Sequence, residues 1–302
     1  MDKIRKRFIM FNLIVMGSIT LIVGFLMFIS NGRGGDGGGR HLDGGGNHRY
    51  WITILLGLLV FLGSLFLSKK AVKPIEQAWQ KQLDFTADAS HELRTPLAVI
   101  MTNLEVVLDS PDETVKSQMK WLKNIEAENK RMTKLVEDLL MLSRGDTNQQ
   151  ELEVETFKMD AMILETLSTF EAGARQKGIE IVKKLHENIE FHGDKKRLKQ
   201  LVVILVDNAI KHMSDTGKIT VILSKDAKEI TLTVADTGVG IDAEHLQHIF
   251  DRFYRVNKTR TAEQDGSGLG LAIAKWIACA HGGNISVAST VGQGTMFTVR
   301  FV

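Results

Sequence analysis

Two long apolar runs lie in the first quarter of the chain, over residues 8–30 and 50–67. As helices rising about 1.5 Å per residue they would reach roughly 34 Å and 27 Å, against about 30 Å for the hydrocarbon core of a bilayer. The pattern therefore predicts two transmembrane helices. A cleaved signal peptide is the alternative for the first run, but the run is long and lacks a small-residue cleavage site.

The segment between these runs, residues 31–49, is rich in glycine and has no apolar pattern. It predicts a flexible extracytoplasmic tether instead of a folded sensor domain, so a signal would arrive through the lipid bilayer or a partner membrane protein. Its histidines and aspartates have no ligand spacing that indicates a metal site. Basic residues before the first run and after the second place both termini in the cytoplasm. We therefore expect a multi-pass membrane protein.

A helical pattern follows, first over a linker at residues 68–84 and then over residues 85–145. Its apolar positions recur in steps of four and three, as in a coiled-coil seam: Leu93, Leu97, Ile100, Leu104 and Val107. We predict that this helix ends near Asp109 and that a second one, capped by Ser110 or Asp112, runs to about Arg144. A lone helical hairpin cannot bury its apolar stripes, so we expect a homodimer that forms a four-helix bundle.

The pattern changes again over residues 153–302, where short β-branched runs alternate with helical stretches. The runs that predict strands are Ile219–Leu223, Ile230–Ala235, Ile285–Ala288 and Met296–Phe301. This alternation predicts an α/β sandwich with helices layered on one face of a sheet.

Composition narrows the class of protein only slightly. The formal net charge is +2 over 302 residues and basic residues are interleaved with acids, so nothing indicates a nucleic-acid partner. The single cysteine, Cys279, excludes an intramolecular disulfide. Because it lies in an apolar helical pattern, we predict a buried structural thiol.

The candidate chemistry begins at His91, which lies beside Glu92 at the solvent edge of the predicted seam. An exposed histidine on a rigid helix with a neighbouring carboxylate can act as a nucleophile. The surrounding segment, Phe85 to Ile100, reads FTADASHELRTPLAVI and closely resembles the phosphoacceptor box of bacterial sensor histidine kinases. The resemblance implies that His91 accepts a phosphoryl group and that Glu92 orients the ring and takes up its proton. It also implies that Thr95 positions water for dephosphorylation.

Five motifs in the second half of the chain follow in the order LVDNAIK, DTGVGI, IFDRFYR, GSGLGL and GQGT. A glycine-rich start of a helix offers backbone amides to phosphate groups. The G-x-G-x-G spacing after a polar segment argues against a dinucleotide fold, which needs G-x-G-x-x-G after a strand. His245 and His248, three residues apart without a third ligand, predict a solvated helix face and not a metal site.

In this order the motifs resemble the ATP-binding domain that histidine kinases share with gyrase, heat-shock chaperone and mismatch-repair ATPases. The resemblance implies bound ATP and Mg²⁺, with Asn208 as the magnesium ligand and Asp236 as the acceptor for the adenine amino group. It assigns the remaining nucleotide contacts to Lys211, Gly238, Gly240, Arg255, Gly266, Gly268, Gly270 and Thr295. Ile204 departs from the family pattern, which often has a second asparagine there, and this puts one secondary contact in doubt.

Together the resemblance covers about residues 74–302 and implies a membrane sensor histidine kinase. Such a protein autophosphorylates from ATP, passes the phosphoryl group to an aspartate on the receiver domain of a response regulator, and often dephosphorylates that regulator. A related ATPase that works by dimer closure would lack the histidine hairpin. A non-catalytic membrane receptor or scaffold with a degenerate kinase domain is the other alternative, and only Ile204 favours it.

Overall fold

The computed structural model describes residues 46–146, 151–213, 216–227, 229–256 and 266–302, and the isolated positions 17, 18, 22, 24 and 25. The chain divides into two compact units, Met1–Asp84 and Phe85–Val302. Within the described residues, no helix is both long enough and apolar enough to cross a membrane. Most of the first predicted span and of the glycine-rich loop lies outside the described residues, as do most side chains over residues 50–67. The last four residues of the predicted loop, 46–49, are described and are helical. The two transmembrane helices therefore remain predictions.

Two long helices make up the first part of the described chain, α1 (Gly46–Leu108) and α2 (Val115–Asp146). The predicted end of the first helix near Asp109 is confirmed, but the predicted N-cap of the second is wrong. The carbonyl of Ser110 accepts from the amide of Glu113 in a turn, and the helix starts only after Thr114. The Thr114 hydroxyl accepts from the amide of Ser117 at 3.3 Å, which is the capping contact.

Polar contacts inside the hairpin hold its two helices in one register. Asn103, only 7% exposed, donates to the carbonyl of Val99 and accepts from the amide of Asn124 at 3.2 Å. Near the turn, the Gln118 side chain donates to the carbonyl of Val107, in the last turn of α1, and to the carbonyl of Ser110 in the connection. Apolar side chains remain exposed on the same hairpin: Leu97, Met101, Leu104, Leu108, Met119 and Leu140.

The remainder of the chain is an α/β sandwich, as predicted. Two short strands, β1 (Glu155–Lys158) and β3 (Glu190–Gly193), pair antiparallel. The main sheet has the order β2-β4-β5-β7-β6, with β2 parallel to β4 and the other neighbours antiparallel. Its strands are β2 (Ile179–Leu185), β4 (Gly217–Lys225), β5 (Ile230–Asp236), β6 (Asn284–Thr290) and β7 (Gly294–Phe301). The four predicted strands lie within β4 to β7, whereas β1, β2 and β3 were not predicted.

Three helices cover one face of this sheet: α3 (Met159–Gln176), α4 (Lys195–Lys211) and α6 (Gly270–Ala280). A single helical turn, α5 (Ala243–Leu246), follows β5. Alternate strand residues point into the helical layer and are buried: Ile219, Val221, Leu223, Leu232, Val234, Phe297, Val299 and Phe301. The helices contribute matching apolar stripes, including Leu198, Leu201 and Leu205 of α4 at 0% exposure.

The prediction for Cys279 is wrong, because the side chain is exposed. The buried positions on α6 are Ala272, Ile273, Ala274, Ile277 and Ala278. Cys279 follows this stripe by one residue, so it turns about 100° away from the sheet.

A carboxylate lies on the buried face of α2 beside Leu135, Met141 and Leu142. Asp138 is 9% exposed, and burial raises its pKa from 3.8 to about 6, a rise that nearby Lys134 only partly offsets. Folding therefore favours the protonated form. Its contribution to stability is complete below pH 3.8 and is lost as the pH rises through about 6.

We expect Asp138→Asn to raise the free energy of unfolding at pH 7.5 by up to about 3 kcal/mol, because the buried charge is removed. The gain should vanish at about pH 3, below the ordinary pKa of 3.8, where Asp138 is protonated in both folded and unfolded chains. Urea unfolding at the two pH values measures this. The exposed turn residue Asp112→Asn is the control, and an equal gain at both pH values would contradict the assignment.

Candidate functional site

His91 lies on the exposed surface of α1, and Thr95, one turn later, is exposed on the same face. Glu92 is half-buried and adjacent residues point about 100° apart, so the two side chains diverge. In the described part of the chain no hydrogen bond joins the His91 imidazole to Glu92 or to the nucleotide motifs. The structure thus pairs His91 with Thr95 on one face but does not bring Glu92 onto the ring.

Pro96 is buried within α1, five residues after His91. A proline has no backbone N–H, so the carbonyl of Glu92, four residues earlier, receives no helical hydrogen bond from it. The helix is therefore weakened on the turn that carries the histidine and its neighbouring carboxylate.

The DTGVGI motif is organised around Asp236, the last residue of β5. Its Oδ1 accepts from the amide of Gly238 at 2.8 Å and from the amide of Thr295 at 3.2 Å. Both bonds reach one oxygen, so among the described contacts Oδ2 is left for a ligand. The structure thus brings Asp236, Gly238 and Thr295 together, and their predicted contacts with a nucleotide stay a prediction.

The loop after Asp236 packs closely on the turn between β6 and β7. Gly240 has a φ of +72°, and a Cβ there would overlap the carbonyl oxygen of Thr290. The amide of Gly292 also donates to the carbonyl of Val239 at 2.8 Å. A larger residue at position 240 would therefore force the loop and the turn apart.

A residue that the sequence reasoning missed links these two segments. The Ser289 hydroxyl lies 2.8 Å from the amide of Ile241, 2.8 Å from the carbonyl of Gly294 and 2.9 Å from the hydroxyl of Thr295. A serine within a strand gives no signal of its own in the sequence. The register that places Ser289 opposite Thr295 identifies it only once β6 and β7 are paired.

Helix α4 presents the predicted metal and phosphate residues. Asn208 is half-buried, and the Lys211 ammonium lies 2.8 Å from the Asp207 carboxylate. A Cβ added to Gly266 would be 3.6 Å from that ammonium, so Lys211 lies next to the start of the GSGLGL turn. Ile204 packs on the same turn, because its Cγ2 is 3.4 Å from where a Cβ on Gly270 would be. Ile204, which stands where the family often has an asparagine, thus makes an apolar contact with the glycine turn.

The GSGLGL turn leads directly into α6, whose first residue is Gly270. Gly268 has a φ of +70°, and its carbonyl accepts from the amide of Phe253 at 3.0 Å. A Cβ there would lie within 2.9 Å of the Phe253 backbone. Leu269, 0% exposed, anchors the turn in the core and leaves the backbone amides at the start of α6 accessible to phosphate.

Side chains of the IFDRFYR motif contact both strand β7 and helix α1. Phe250 makes an edge contact with Phe297 of β7 at a centroid distance of 6.3 Å. Phe253 has a φ of +59°, an uncommon conformation for a bulky residue, and its ring lies 5.9 Å from that of Phe85 on α1. The Arg252 guanidinium lies 5.0 Å over the same Phe85 ring. Arg255, which follows, is half-buried, and its predicted phosphate contact stays a prediction.

The two histidines at positions 245 and 248 differ from each other. His245 Nδ1 lies 2.8 Å from the Tyr254 hydroxyl and its side chain is 23% exposed, so for this residue the solvated-face prediction is wrong. His248 is more exposed and pairs with Asp251 at 2.9 Å. Within the described residues, no cluster of three or more His, Cys, Asp or Glu side chains could hold a metal ion.

These features fit a purine nucleotide with its magnesium ion. The glycine turn at the start of α6 leaves space and amides for phosphates, and Asp236 Oδ2 offers an acceptor for a base. Mg²⁺ prefers oxygen ligands and commonly keeps water and phosphate oxygens in its shell, so the Asn208 amide oxygen suffices as a protein ligand. Burial raises the pKa of Asp236, and the hydrogen bonds from Gly238 and Thr295 oppose that rise.

Two family descriptions match the chain. Residues 193–302 match the histidine kinase-, DNA gyrase B-, and HSP90-like ATPase family, and residues 81–148 match the His Kinase A (phospho-acceptor) domain. Sensor histidine kinase RppB of Synechocystis is 35% identical over 251 residues, or 82% of this chain and 54% of RppB. Sensor protein CiaH of Streptococcus pneumoniae is 36% identical over 260 residues, or 84% and 57%. The chain spans about half the length of the curated relatives it matches.

Solved structures of histidine kinases share the fold of this chain. Histidine kinase AdeS of Acinetobacter baumannii has a TM-score of 0.57 at 27% identity, covering 70% of this chain and 96% of that one. Histidine kinase ThkA in complex with response regulator protein TrrA has a TM-score of 0.58 at 24% identity, over 75% of this chain and 63% of that one, which indicates a shared fold.

We expect ATP affinity to fall as the pH is lowered, because a protonated Asp236 accepts the adenine amino group less well. Since burial raises the pKa of Asp236, the loss should begin at a higher pH than for an exposed aspartate. Calorimetric titration with ATP from pH 7.5 down to 5 measures it. Asp236→Asn should bind at least about ten-fold more weakly at pH 7.5 and lose this pH dependence. A wild-type affinity that does not change with pH would contradict the role.

Proposed function

The chain belongs to the two-component sensor histidine kinases, and on that premise we propose that it autophosphorylates at His91 from ATP. The observation that carries the proposal is the presence, in one chain, of an exposed helical histidine, a buried carboxylate with one oxygen left for a ligand, and a glycine-rich helix start. A degenerate-kinase scaffold would also retain the fold. The glycine turn, Asn208 and Asp236 are all present, so only Ile204 supports that alternative.

In the proposed complex, Asp236 Oδ2 accepts the adenine amino group while the amides at the start of α6 bind phosphate oxygens. Lys211 lies beside this turn and neutralises phosphate charge, and we assign the γ-phosphate charge to Arg255. A magnesium ion held by Asn208 and phosphate oxygens would neutralise further charge during transfer. Gly238, Gly240, Gly266, Gly268 and Gly270 let the backbone approach the nucleotide.

The chemical step is nucleophilic displacement at the γ-phosphorus. A ring nitrogen of His91, by analogy Nε2, forms the N–P bond as the bond to the β-γ bridging oxygen breaks, and ADP leaves. The proton on the other ring nitrogen passes to Glu92. Because no described hydrogen bond joins Glu92 to the ring, this role requires the Glu92 carboxylate to approach the ring during the reaction.

The phosphoryl group then passes to an aspartate on the receiver domain of a response regulator. ThkA, which shares this fold, was solved in complex with a response regulator protein. Thr95 lies on the same exposed face as His91, where a bound receiver domain would meet both. We therefore infer that Thr95 positions water for dephosphorylation of the regulator.

We also infer a membrane-bound homodimer with both termini in the cytoplasm. The apolar runs over residues 8–30 and 50–67 have the length of membrane spans, and residues 68–84 link them to the hairpin. Exposed apolar residues such as Leu97, Leu104 and Leu140 on the hairpin would be covered in a four-helix bundle. The glycine-rich loop acts as a tether, and the signal reaches the chain through lipid or a partner membrane protein.

The proposed function is tested with labelled ATP and magnesium on the full chain in lipid nanodiscs. Wild type should acquire acid-labile, alkali-stable label, and His91→Ala should acquire none. His192→Ala, which removes an exposed histidine on β3, is the matched control and should label normally. ATP binding without any label would favour the scaffold.

Thr95→Ala should retain autophosphorylation within about two-fold but slow dephosphorylation of the phosphorylated regulator by at least ten-fold, an expectation of about 1.4 kcal/mol in the barrier. Loss of label from the isolated regulator, followed over time, measures the second activity. Thr102→Ala removes another exposed threonine two turns along α1 and should change neither rate. Equal loss of both activities would argue against a separate role for Thr95.

Replacing residues 31–45, which precede α1, by a Gly/Ser linker of equal length should leave stimulus-dependent phosphorylation unchanged, because a tether contributes no specific contacts. A reporter under control of the regulator measures the response in cells. Loss of the response with intact basal activity would show that the loop binds the signal.

A further inference from the structure

Ser289 occupies a point where three segments of the nucleotide pocket meet. It is half-buried on β6 and stands directly opposite Thr295 of β7. Its hydroxyl reaches the Ile241 amide in the loop after Asp236, the Gly294 carbonyl at the start of β7, and the Thr295 hydroxyl. Each of these distances lies between 2.8 and 2.9 Å, so all three contacts are hydrogen bonds of ordinary length.

The number of hydrogens and lone pairs on Ser289 fixes the direction of each bond. A serine hydroxyl has one hydrogen and two acceptor lone pairs. The Gly294 carbonyl can only accept, so it takes the hydrogen, and the Ile241 amide can only donate, so it takes one lone pair. The contact with Thr295 must use the second lone pair. Thr295 is therefore the donor, and its single hydroxyl hydrogen is committed to Ser289.

Because its hydrogen is bonded to Ser289, the Thr295 hydroxyl can only accept a hydrogen bond from a ligand. Its hydroxyl has lone pairs left and no hydrogen to offer, and at 7% exposure it lacks bulk water as an alternative partner. The Thr295 amide meanwhile donates to Asp236 Oδ1 at 3.2 Å. Two neighbouring residues thus hold unused acceptor lone pairs, on the Asp236 Oδ2 and on the Thr295 hydroxyl.

We propose that Ser289 is a positioning residue for base selection, which holds the Thr295 hydroxyl as an acceptor so that the pocket takes adenine and rejects guanine. The inference rests on the proposed ATP-binding function and deepens it. Adenine carries an amino donor at the position where guanine carries the O6 acceptor. A wall of fixed acceptors pairs with the first and repels the second. A threonine free to rotate could donate to O6.

The experiment compares MgATP and MgGTP binding to the full chain in nanodiscs by calorimetry. Ser289→Ala frees the Thr295 hydroxyl, and the ratio of ATP to GTP affinity should fall by about ten-fold, the effect of one reoriented hydrogen bond. Ser289→Thr keeps a hydroxyl at the same place and should restore the ratio. Ser286→Ala, on the same strand with its hydroxyl toward the Thr298 carbonyl, is the control and should leave the ratio unchanged.

A double mutant separates positioning from general loosening of the pocket. In a Thr295→Val background there is no hydroxyl to orient, so adding Ser289→Ala should not lower the ratio further. An unchanged ratio in Ser289→Ala, or a loss of the same size with and without the Thr295 hydroxyl, would overturn the inference. If that occurs while wild type still labels His91, the proposed function stands. A wild-type chain that binds neither nucleotide would overturn both.

Discussion

The nucleotide pocket depends on the buried carboxylate of Asp236. Burial disfavours its charged form, and two backbone amides stabilise that form from one side. These amides belong to Gly238, two residues later, and to Thr295 in the last strand. A single oxygen atom therefore ties the end of β5 to the start of β7. The close packing of Gly240 on Thr290 and the position of Ser289 follow from this constraint, because the loop and the turn must both reach the same carboxylate.

Much of this architecture could be predicted from the sequence, since the signals are local. The four strands of the sheet that were predicted have clear β-branched runs, and the hairpin has a regular seam. Strands β1 to β3 were missed because they are short or charged; β2, for example, includes Lys183 and Lys184. The cap at Thr114 was missed because a proline turn upstream resembled a helix start. The prediction for Cys279 failed because this residue lies one position beyond the buried stripe of α6, where the helix turns its side chain to the exposed surface.

The site shows the same division between local and non-local information. Asp236, Gly238 and Thr295 could be selected from motifs, and the structure brings the amides of Gly238 and Thr295 within hydrogen-bond distance of the Asp236 carboxylate. Ser289 could not, because its importance arises only from the register of two strands and from the loop that crosses them. Likewise, the half-burial of His245 depends on Tyr254, whose hydroxyl it meets only after the chain has turned back.

The contact between Phe85 and Phe253 has a consequence for how the two halves of unit Phe85–Val302 can move. Phe85 precedes His91 by six residues, while Phe253 holds the carbonyl of Gly268 through its amide. One residue of axial rotation in α1 corresponds to about 100° and would carry the Phe85 ring away from its partner. The rotation of the histidine helix about its axis is therefore linked to the GSGLGL turn by one ring contact and one hydrogen bond, both made by Phe253. Rotation of α1 would therefore change the packing of Phe253, which contacts the GSGLGL turn, even with the same nucleotide bound.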